Sequence, residues 1–175
     1  YSRYLVQQMG IKPEQSCFHS QIRKENLDNH EIIVVVDDCI GSGQQIRDFW
    51  NSPEMTTIRE AAKLKGIKCF YLALVGFKDN IDHLKASFND LEIVVCDLLM
   101  NKHRVFSIES IYWDSDEELE EAKKYFSTLE KERGMPMYGY RDLDFAVIIH
   151  RNIPDWSLPI FWKKITDWNV LLPRK

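Results

Sequence analysis

A run of five apolar β-branched residues, 32–36, limits most narrowly what this chain can fold into. Such a run, with no polar alternation, is typical of a strand that is buried on both faces, as in a parallel sheet. Apolar stretches at 69–75, 92–96 and 145–149 predict three further strands. The sequence therefore predicts a sheet of four strands.

Helical patterns lie between these stretches. Residues 53–65 carry an apolar stripe that ends at Gly66, a residue typical of the position just after a helix. A shorter helix is predicted between 79 and 90, and a long one from 116 to 133 begins with a Ser-x-x-Glu capping box. The repeated strand–helix–strand order predicts an α/β fold with a Rossmann-like, mainly parallel sheet flanked by helices.

Length, charge and cysteine spacing exclude several classes of protein. The 175 residues suit one domain, 1–175, and because the first residue is Tyr1 we expect its natural N-terminus to be truncated. The net charge of −4 argues against non-specific binding to DNA, and no apolar run approaches the roughly 20 residues that cross a bilayer. The four cysteines lack the spacing of a zinc site, so no protein residue is predicted to ligate a metal. Unpaired cysteines suit a reducing compartment, and we expect a cytoplasmic location.

The most informative segment directly follows the first predicted strand, which we place at 32–36. It is called here the 37–45 loop and consists of Asp37, Asp38, Cys39, Ile40, Gly41, Ser42, Gly43, Gln44 and Gln45. Glycines permit a positive φ and a close approach of the backbone, so that successive N–H groups before a helix favour a phosphate. The two carboxylates would repel a phosphate but accept hydrogen bonds from hydroxyl groups. A phosphorylated ribose satisfies both halves of this segment.

Residues 34–43 resemble the phosphoribosyl-pyrophosphate binding motif of type I phosphoribosyltransferases, in which apolar residues precede an acidic pair and a turn rich in Ser, Thr and Gly. The resemblance implies that Asp37 and Asp38 are catalytic residues that hold the ribose hydroxyls, and that the rest of the loop binds the ligand, with Gly41 to Gln45 at the 5′-phosphate. It implies Mg²⁺, which would neutralise a pyrophosphate leaving group. It also implies a pentosyltransferase or a related enzyme that cleaves N-glycosidic bonds.

A second resemblance covers most of the chain. Segments 29–45, 73–76, 105–110, 139–142 and 152–174 are similar to a divergent phosphoribosyltransferase-like group. That group occurs in bacterial conflict and anti-phage gene neighbourhoods, including retron operons. The resemblance implies an effector of a defence system, with a protein or ribonucleoprotein partner.

The chain departs from the main family in ways that leave an alternative open. Gly41 and Gln45 stand where the family usually has Thr or Ser. Only 36 residues precede Asp37, and Arg23-Lys24 is the only adjacent basic pair among them, so the family's upstream pyrophosphate loop is truncated away or lost. The alternative function is a catalytically inactive module of the same fold that senses a ligand or binds a protein.

The C-terminal tail is predicted to form a hood over the ligand-binding edge of the sheet. His150, Arg151, Asn152 and Trp156 follow the fourth predicted strand. Trp156 could stack on a base while Asn152 bonds its edge, or both could serve a rigid turn fixed by prolines. Both interpretations stay open for these two residues, whereas packing is expected for Phe161, Trp162 and Trp168.

Two other enzyme-like or signalling interpretations explain less. A cysteine hydrolase that used Cys39 and His150 would need a thiolate, and the adjacent acidic pair opposes its formation. A phospho-acceptor domain that combined the acidic pair with Asp97 around Mg²⁺ would leave the Gly-Ser-Gly turn without a purpose.

Overall fold

A computed structural model of the chain describes residues 10–12, 15–17, 21–23, 27–28, 30–149 and 153–172. Three strands alternate with helices and are followed by a C-terminal region that contains one long helix. The strands are β1 (Ile32–Ile40), β2 (Lys68–Phe77) and β3 (Glu92–Leu99). The helices are α1 (Gln44–Trp50), α2 (Pro53–Lys65), α3 (Lys78–Ser87) and α4 (Asp116–Arg133). Short 3₁₀ helices cover Asn101–His103, Tyr140–Asp142 and Pro159–Phe161.

The three strands form one parallel sheet in the order β1-β2-β3. In its register Val35 lies beside Tyr71, which lies beside Ile93. This sheet and its flanking helices confirm the predicted Rossmann-like α/β class. Parallel strands place their carboxyl ends at one edge, and the loops at that edge are the usual location of a ligand site.

The fourth predicted strand, 145–149, is wrong. Within the described residues Phe145 makes only isolated bridges, antiparallel with Arg104 and parallel with Ser157. Phe145 is fully buried, and its carbonyl accepts a hydrogen bond of 3.0 Å from the N–H of Leu158. The segment therefore crosses the core as irregular chain that bonds to two neighbouring segments. A short apolar run does not by itself distinguish a strand from such a buried irregular segment.

The prediction that β1 is buried on both faces is also wrong. Ile33 is buried in the core shared with the helices, whereas Ile32, Val34 and Val36 are 55%, 42% and 47% exposed. Leu74, Val94 and Leu98 of the neighbouring strands are exposed as well. Within the described residues, helix packing buries one face of the sheet and leaves an apolar opposite face.

The helix boundaries follow from local caps. The Ser52 hydroxyl accepts a hydrogen bond of 3.3 Å from the N–H of Met55 at the start of α2, and Gly66 ends that helix with a φ of 69°. Ser115 caps α4 through the N–H of Glu118 at 3.2 Å. The Glu118 carboxylate accepts from the N–H of Asp114, one residue before the position that a capping box would use.

The C-terminal region packs against the carboxyl ends of all three strands. Cys39, Phe77 and Leu99 stand at or near those ends. They form one apolar cluster with Leu143, Phe145, Val147 and Trp156. Phe161 packs in a second cluster with α4, and the indole N–H groups of Trp162 and Trp168 donate to backbone carbonyls at 3.1 Å.

No helix in the described part of the chain is both long enough and apolar enough to cross a membrane.

Candidate functional site

The acidic pair lies inside β1. The strand runs to Ile40 instead of ending at Val36, so Asp37 and Asp38 lie in its carboxyl-terminal half. Asp37 is aligned with Ala73 of β2. Its Oδ1 accepts a hydrogen bond of 2.9 Å from the N–H of Asp38, and its Oδ2 accepts one from the hydroxyl of Tyr71. The protein thus fixes the orientation of the Asp37 carboxylate from both oxygens.

Burial dominates the electrostatics of this carboxylate. It raises the pKa of Asp37, and the nearby Asp38 charge adds to the increase. The hydrogen bonds from Tyr71 and from the N–H of Asp38 oppose it. The pKa of Tyr71 is raised too, by burial and then by the Asp37 charge, so its hydroxyl keeps its proton and donates a hydrogen bond to Asp37.

Tyr71 is a site residue that sequence reasoning missed. It is 2% exposed and lies 34 positions from Asp37 in the sequence. The available signal was its phenol within an otherwise apolar strand, because a buried tyrosine hydroxyl usually has a hydrogen-bond partner. Identifying that partner required the register of β1 against β2.

Cys39 has no features of a nucleophile. Burial raises the pKa of its thiol far above the ordinary value, and Asp38 raises it further. The thiol packs near Phe77 and Trp156 in the cluster at the strand ends. A protonated thiol argues against the cysteine-hydrolase alternative. His150, its proposed partner, lies outside the described residues.

The turn of the 37–45 loop contains two glycines with different requirements. Gly43 has a φ of 73° and precedes α1, which agrees with the positive φ expected there. Gly41 has no positive φ; a Cβ atom at this position would lie 2.3 Å from Cδ1 of Trp156. Position 41 therefore has room only for glycine, because the Trp156 indole lies against it.

Two side chains, one of them outside the loop, also hold this turn. Asn80 at the start of α3 donates a hydrogen bond of 2.8 Å to the carbonyl of Gly41, and the Ser42 hydroxyl accepts one of 3.3 Å from the N–H of Gln44. Ile40 is 2% exposed in the core, and Gln45 is exposed at the start of α1. Asn80 is a second residue that the sequence did not indicate.

Trp156 occupies the position of a packing residue. It is 5% exposed, and its ring meets Phe145 edge to face with 5.7 Å between centroids. This burial leaves little of the indole open to a base. Stacking on a base stays a prediction for Trp156. Its companion Asn152 lies outside the described residues, as does Arg151.

The chain matches the family model PRTase-CE over residues 1–174. It belongs to the PRTase-CE family. No curated protein and no solved structure matches it. The family match supports a phosphoribosyltransferase-type domain, as the first resemblance implied.

The resemblance to type I phosphoribosyltransferases implies Mg²⁺, so the domain should contain residues that could hold this ion. The described residues contain no group of three or more His, Cys, Asp or Glu side chains that could hold a metal. Mg²⁺ in phosphate-binding sites commonly uses one or two carboxylates together with phosphates of the substrate. Asp37 and Asp38 fit that smaller set, and bound Mg²⁺ would neutralise charge on a pyrophosphate group.

The phospho-acceptor alternative needs Asp97 close to the acidic pair. Asp97 is exposed on β3, opposite Val75 of β2, which pairs in turn with Cys39. Two strand spacings, about 9 to 10 Å, therefore separate Asp97 from β1. This distance argues against one shared metal in the PRTase-CE domain.

Proposed function

We propose that this PRTase-CE domain binds a phosphorylated ribose compound, phosphoribosyl pyrophosphate or a nucleotide, through the 37–45 loop. The observation that carries the proposal is the continuous path from the acidic pair in β1 into the turn at Ser42-Gly43 before α1. This path lies at the carboxyl edge of a parallel sheet, where α/β proteins bind ligands.

Each half of the loop suits one half of the ligand. A carboxylate has about four acceptor sites, so Asp37 can accept from ribose hydroxyls in addition to its two bonds from the protein. Asp38 follows it directly and supplies the second carboxylate. Gly43, with its positive φ, directly precedes α1, and backbone N–H groups in a turn of this kind can form a concave anion site.

We further propose transfer or cleavage at the anomeric carbon of the ribose, with Mg²⁺ on the pyrophosphate. The proposed setting is a cytoplasmic, bacterial anti-phage defence system with a protein or ribonucleoprotein partner. The second resemblance supports this setting. Phage challenge of cells that express the complete system, with wild-type protein or an Asp37→Asn/Asp38→Asn variant, tests it; equal protection by both would contradict it.

A binding module without turnover is the second candidate, and Gly41 is the observation that favours it. The main family usually carries a hydroxyl side chain there, but the 2.3 Å approach of Trp156 leaves no room for one. Incubation with phosphoribosyl pyrophosphate and pooled bases separates the two candidates. Release of pyrophosphate supports an enzyme, whereas binding without release supports a sensor.

Calorimetry tests the binding proposal. We expect ribose 5-phosphate to bind more tightly than either ribose or inorganic phosphate, because only the first ligand engages the carboxylates and the turn together. The variant Asp37→Asn/Asp38→Asn should lose this preference. Its control is Glu54→Gln/Glu60→Gln, which removes two exposed carboxylates of α2 and so has the same net charge. If inorganic phosphate binds as tightly as ribose 5-phosphate, recognition of ribose is absent and the proposal fails.

A further inference from the structure

A strained turn stands beside the 37–45 loop. Arg141 has a φ of 60° and a ψ of 36°, and the next residue, Asp142, has a φ of 56°. Residues other than glycine rarely adopt this left-handed region, and two in succession are rarer still. Such strain persists only where the surrounding structure over-determines the backbone, which is common at ligand sites.

An ion pair with one buried partner holds this turn. The Asp144 carboxylate is 1% exposed and binds the Arg104 guanidinium. Its Oδ2 also accepts a hydrogen bond of 2.7 Å from the N–H of Phe106. Arg104 in turn donates to the carbonyl of Asp142 at 3.0 Å. This network thus fixes the positive φ values of the turn. The Arg141 side chain is left exposed on the surface.

Trp156 links the turn to the loop. A Cβ atom at Gly139 would lie 2.6 Å from the carbonyl carbon of Trp156, so the turn packs directly on that backbone. The indole of the same tryptophan lies against Gly41. The distance from the turn to the loop is therefore set by one rigid aromatic residue.

The Arg141 guanidinium reaches the loop itself. Its Nη2 donates a hydrogen bond of 3.3 Å to Oε1 of Gln44, a residue 97 positions away in the sequence. Its Cζ also lies 5.6 Å from the ring centroid of Tyr140. A guanidinium has five N–H donors in a planar fork that matches phosphate oxygens, and the bond to Gln44 uses one of them.

A cation at this place would offset the negative charge of the site. Asp37 and Asp38 are both acidic, and the chain as a whole carries a net charge of −4. A phosphate group that approached the turn would be repelled unless a positive group compensated. Arg141 supplies such a group through its contact with the first residue of α1.

We propose that Arg141 binds the phosphate of the ribose-phosphate ligand, exchanging the Gln44 Oε1 for phosphate oxygens. This inference rests on the proposed function and adds a binding residue from the C-terminal region. Asp144 and Arg104 are positioning residues, because they hold the strained turn without contact to the ligand.

Two glycine variants test the proposal. Arg141→Gly relieves the left-handed strain and removes the cation, whereas Asp142→Gly relieves the same strain and keeps it. We expect both variants to melt at or above the wild-type temperature. Arg141→Gly should bind ribose 5-phosphate roughly 10- to 100-fold more weakly, the scale of a hydrogen bond to a charged group. Asp142→Gly removes a neighbouring carboxylate and should bind at least as tightly as wild type.

Two controls complete the experiment: ribose, a ligand without the phosphate, and Arg141→Lys, a variant that keeps the positive charge. Binding of unphosphorylated ribose, followed by NMR titration, should be the same in wild type and Arg141→Gly, and Arg141→Lys should recover part of the lost affinity. If Arg141→Gly binds ribose 5-phosphate as tightly as wild type, the role of Arg141 is refuted and the proposed function stands. If wild-type protein does not bind ribose 5-phosphate, the proposed function fails and the role of Arg141 fails with it.

Discussion

The hydroxyl of Tyr71 donates a hydrogen bond to Oδ2 of Asp37 across two neighbouring parallel strands. This contact gives Asp37, one member of the acidic pair, a buried hydrogen-bond donor. It opposes the burial that raises the pKa of Asp37 and so favours the charged form that a ribose hydroxyl would meet. The residues that give the 37–45 loop its chemistry are therefore distributed over β1 and β2.

Tyr71→Phe should raise the pKa of Asp37 further, because the hydrogen bond that lowers it is lost. Loss of ribose 5-phosphate affinity on acidification should then begin at a higher pH than in wild type. The ligand's own ionisation is common to both proteins and cancels in the comparison. The variant should also lose roughly 1–3 kcal/mol of stability, since a buried oxygen loses a partner. Tyr125→Phe, at an exposed position of α4, is the control; identical pH profiles for Tyr71→Phe and wild type would refute the role of Tyr71.

Asp37→Asn should stabilise the fold at neutral pH. A carboxyl group whose pKa is raised by folding contributes stability that is fully present below its unfolded pKa, near 3.8, and lost as the pH rises through the folded pKa. Asparagine imitates the protonated form at every pH. Urea unfolding should therefore show an advantage for the variant at pH 7 that shrinks as the pH falls towards 3.8. A variant less stable than wild type at neutral pH would identify the Asp37 charge as a structural element of the loop.

Gly41→Ala should be destabilising by roughly 1–3 kcal/mol because a Cβ atom has no space beside the Trp156 indole. Trp156→Leu shortens the clashing side chain, so the double variant should lose less stability than the sum of the two single changes. Denaturant unfolding of the four proteins gives this coupling directly. Additive losses would mean that the two residues do not restrain each other.

Trp156→Leu also discriminates between packing and stacking. If Trp156 packs against the turn, a nucleoside monophosphate and ribose 5-phosphate should lose affinity equally. A selective loss of about 1–3 kcal/mol for the base-containing ligand would instead indicate that the indole stacks on a base. Its burial leads us to expect equal losses.

Asp144→Asn should cost roughly 1–3 kcal/mol of stability, because the buried N–H of Phe106 and the partly exposed Arg104 guanidinium lose a charged acceptor. Glu120→Gln breaks the exposed pair with Lys123 on α4 and should cost less than about 1 kcal/mol. Denaturant midpoints of the two variants measure both effects. Equal costs would show that burial of Asp144 adds nothing to its pair.

The sequence predicted elements whose determinants are local. The apolar stripe that ends at Gly66 and the cap at Ser115 lie within or next to the helices that they define, so α2 and α4 were predicted with their observed boundaries. The acidic pair and the turn were also recognisable, because their order along the chain carries the chemistry. By contrast, the exposed face of β1 depends on which elements pack against the sheet, and no local pattern encodes that.

The supporting residues of the site could not be predicted. Tyr71, Asn80 and Arg141 contact the loop from positions 34, 39 and 97 residues away in the sequence. Each contact depends on strand register or on the fold of the C-terminal region. The length of β1 was misjudged for a related reason, since pairing with β2 extends the strand through two acidic residues that seldom occur in strands.

The measurement that tests the central claim most directly combines calorimetry with phosphoribosyl pyrophosphate and thermal melting on one preparation of Asp37→Asn/Asp38→Asn. Removal of two adjacent, partly buried charges relieves repulsion, so the variant should melt at or above the wild-type temperature. It should nevertheless lose ligand affinity, because charge-assisted hydrogen bonds are roughly twice as strong as neutral ones. A folded variant that binds phosphoribosyl pyrophosphate with wild-type affinity would contradict a ribose-phosphate site at the acidic pair.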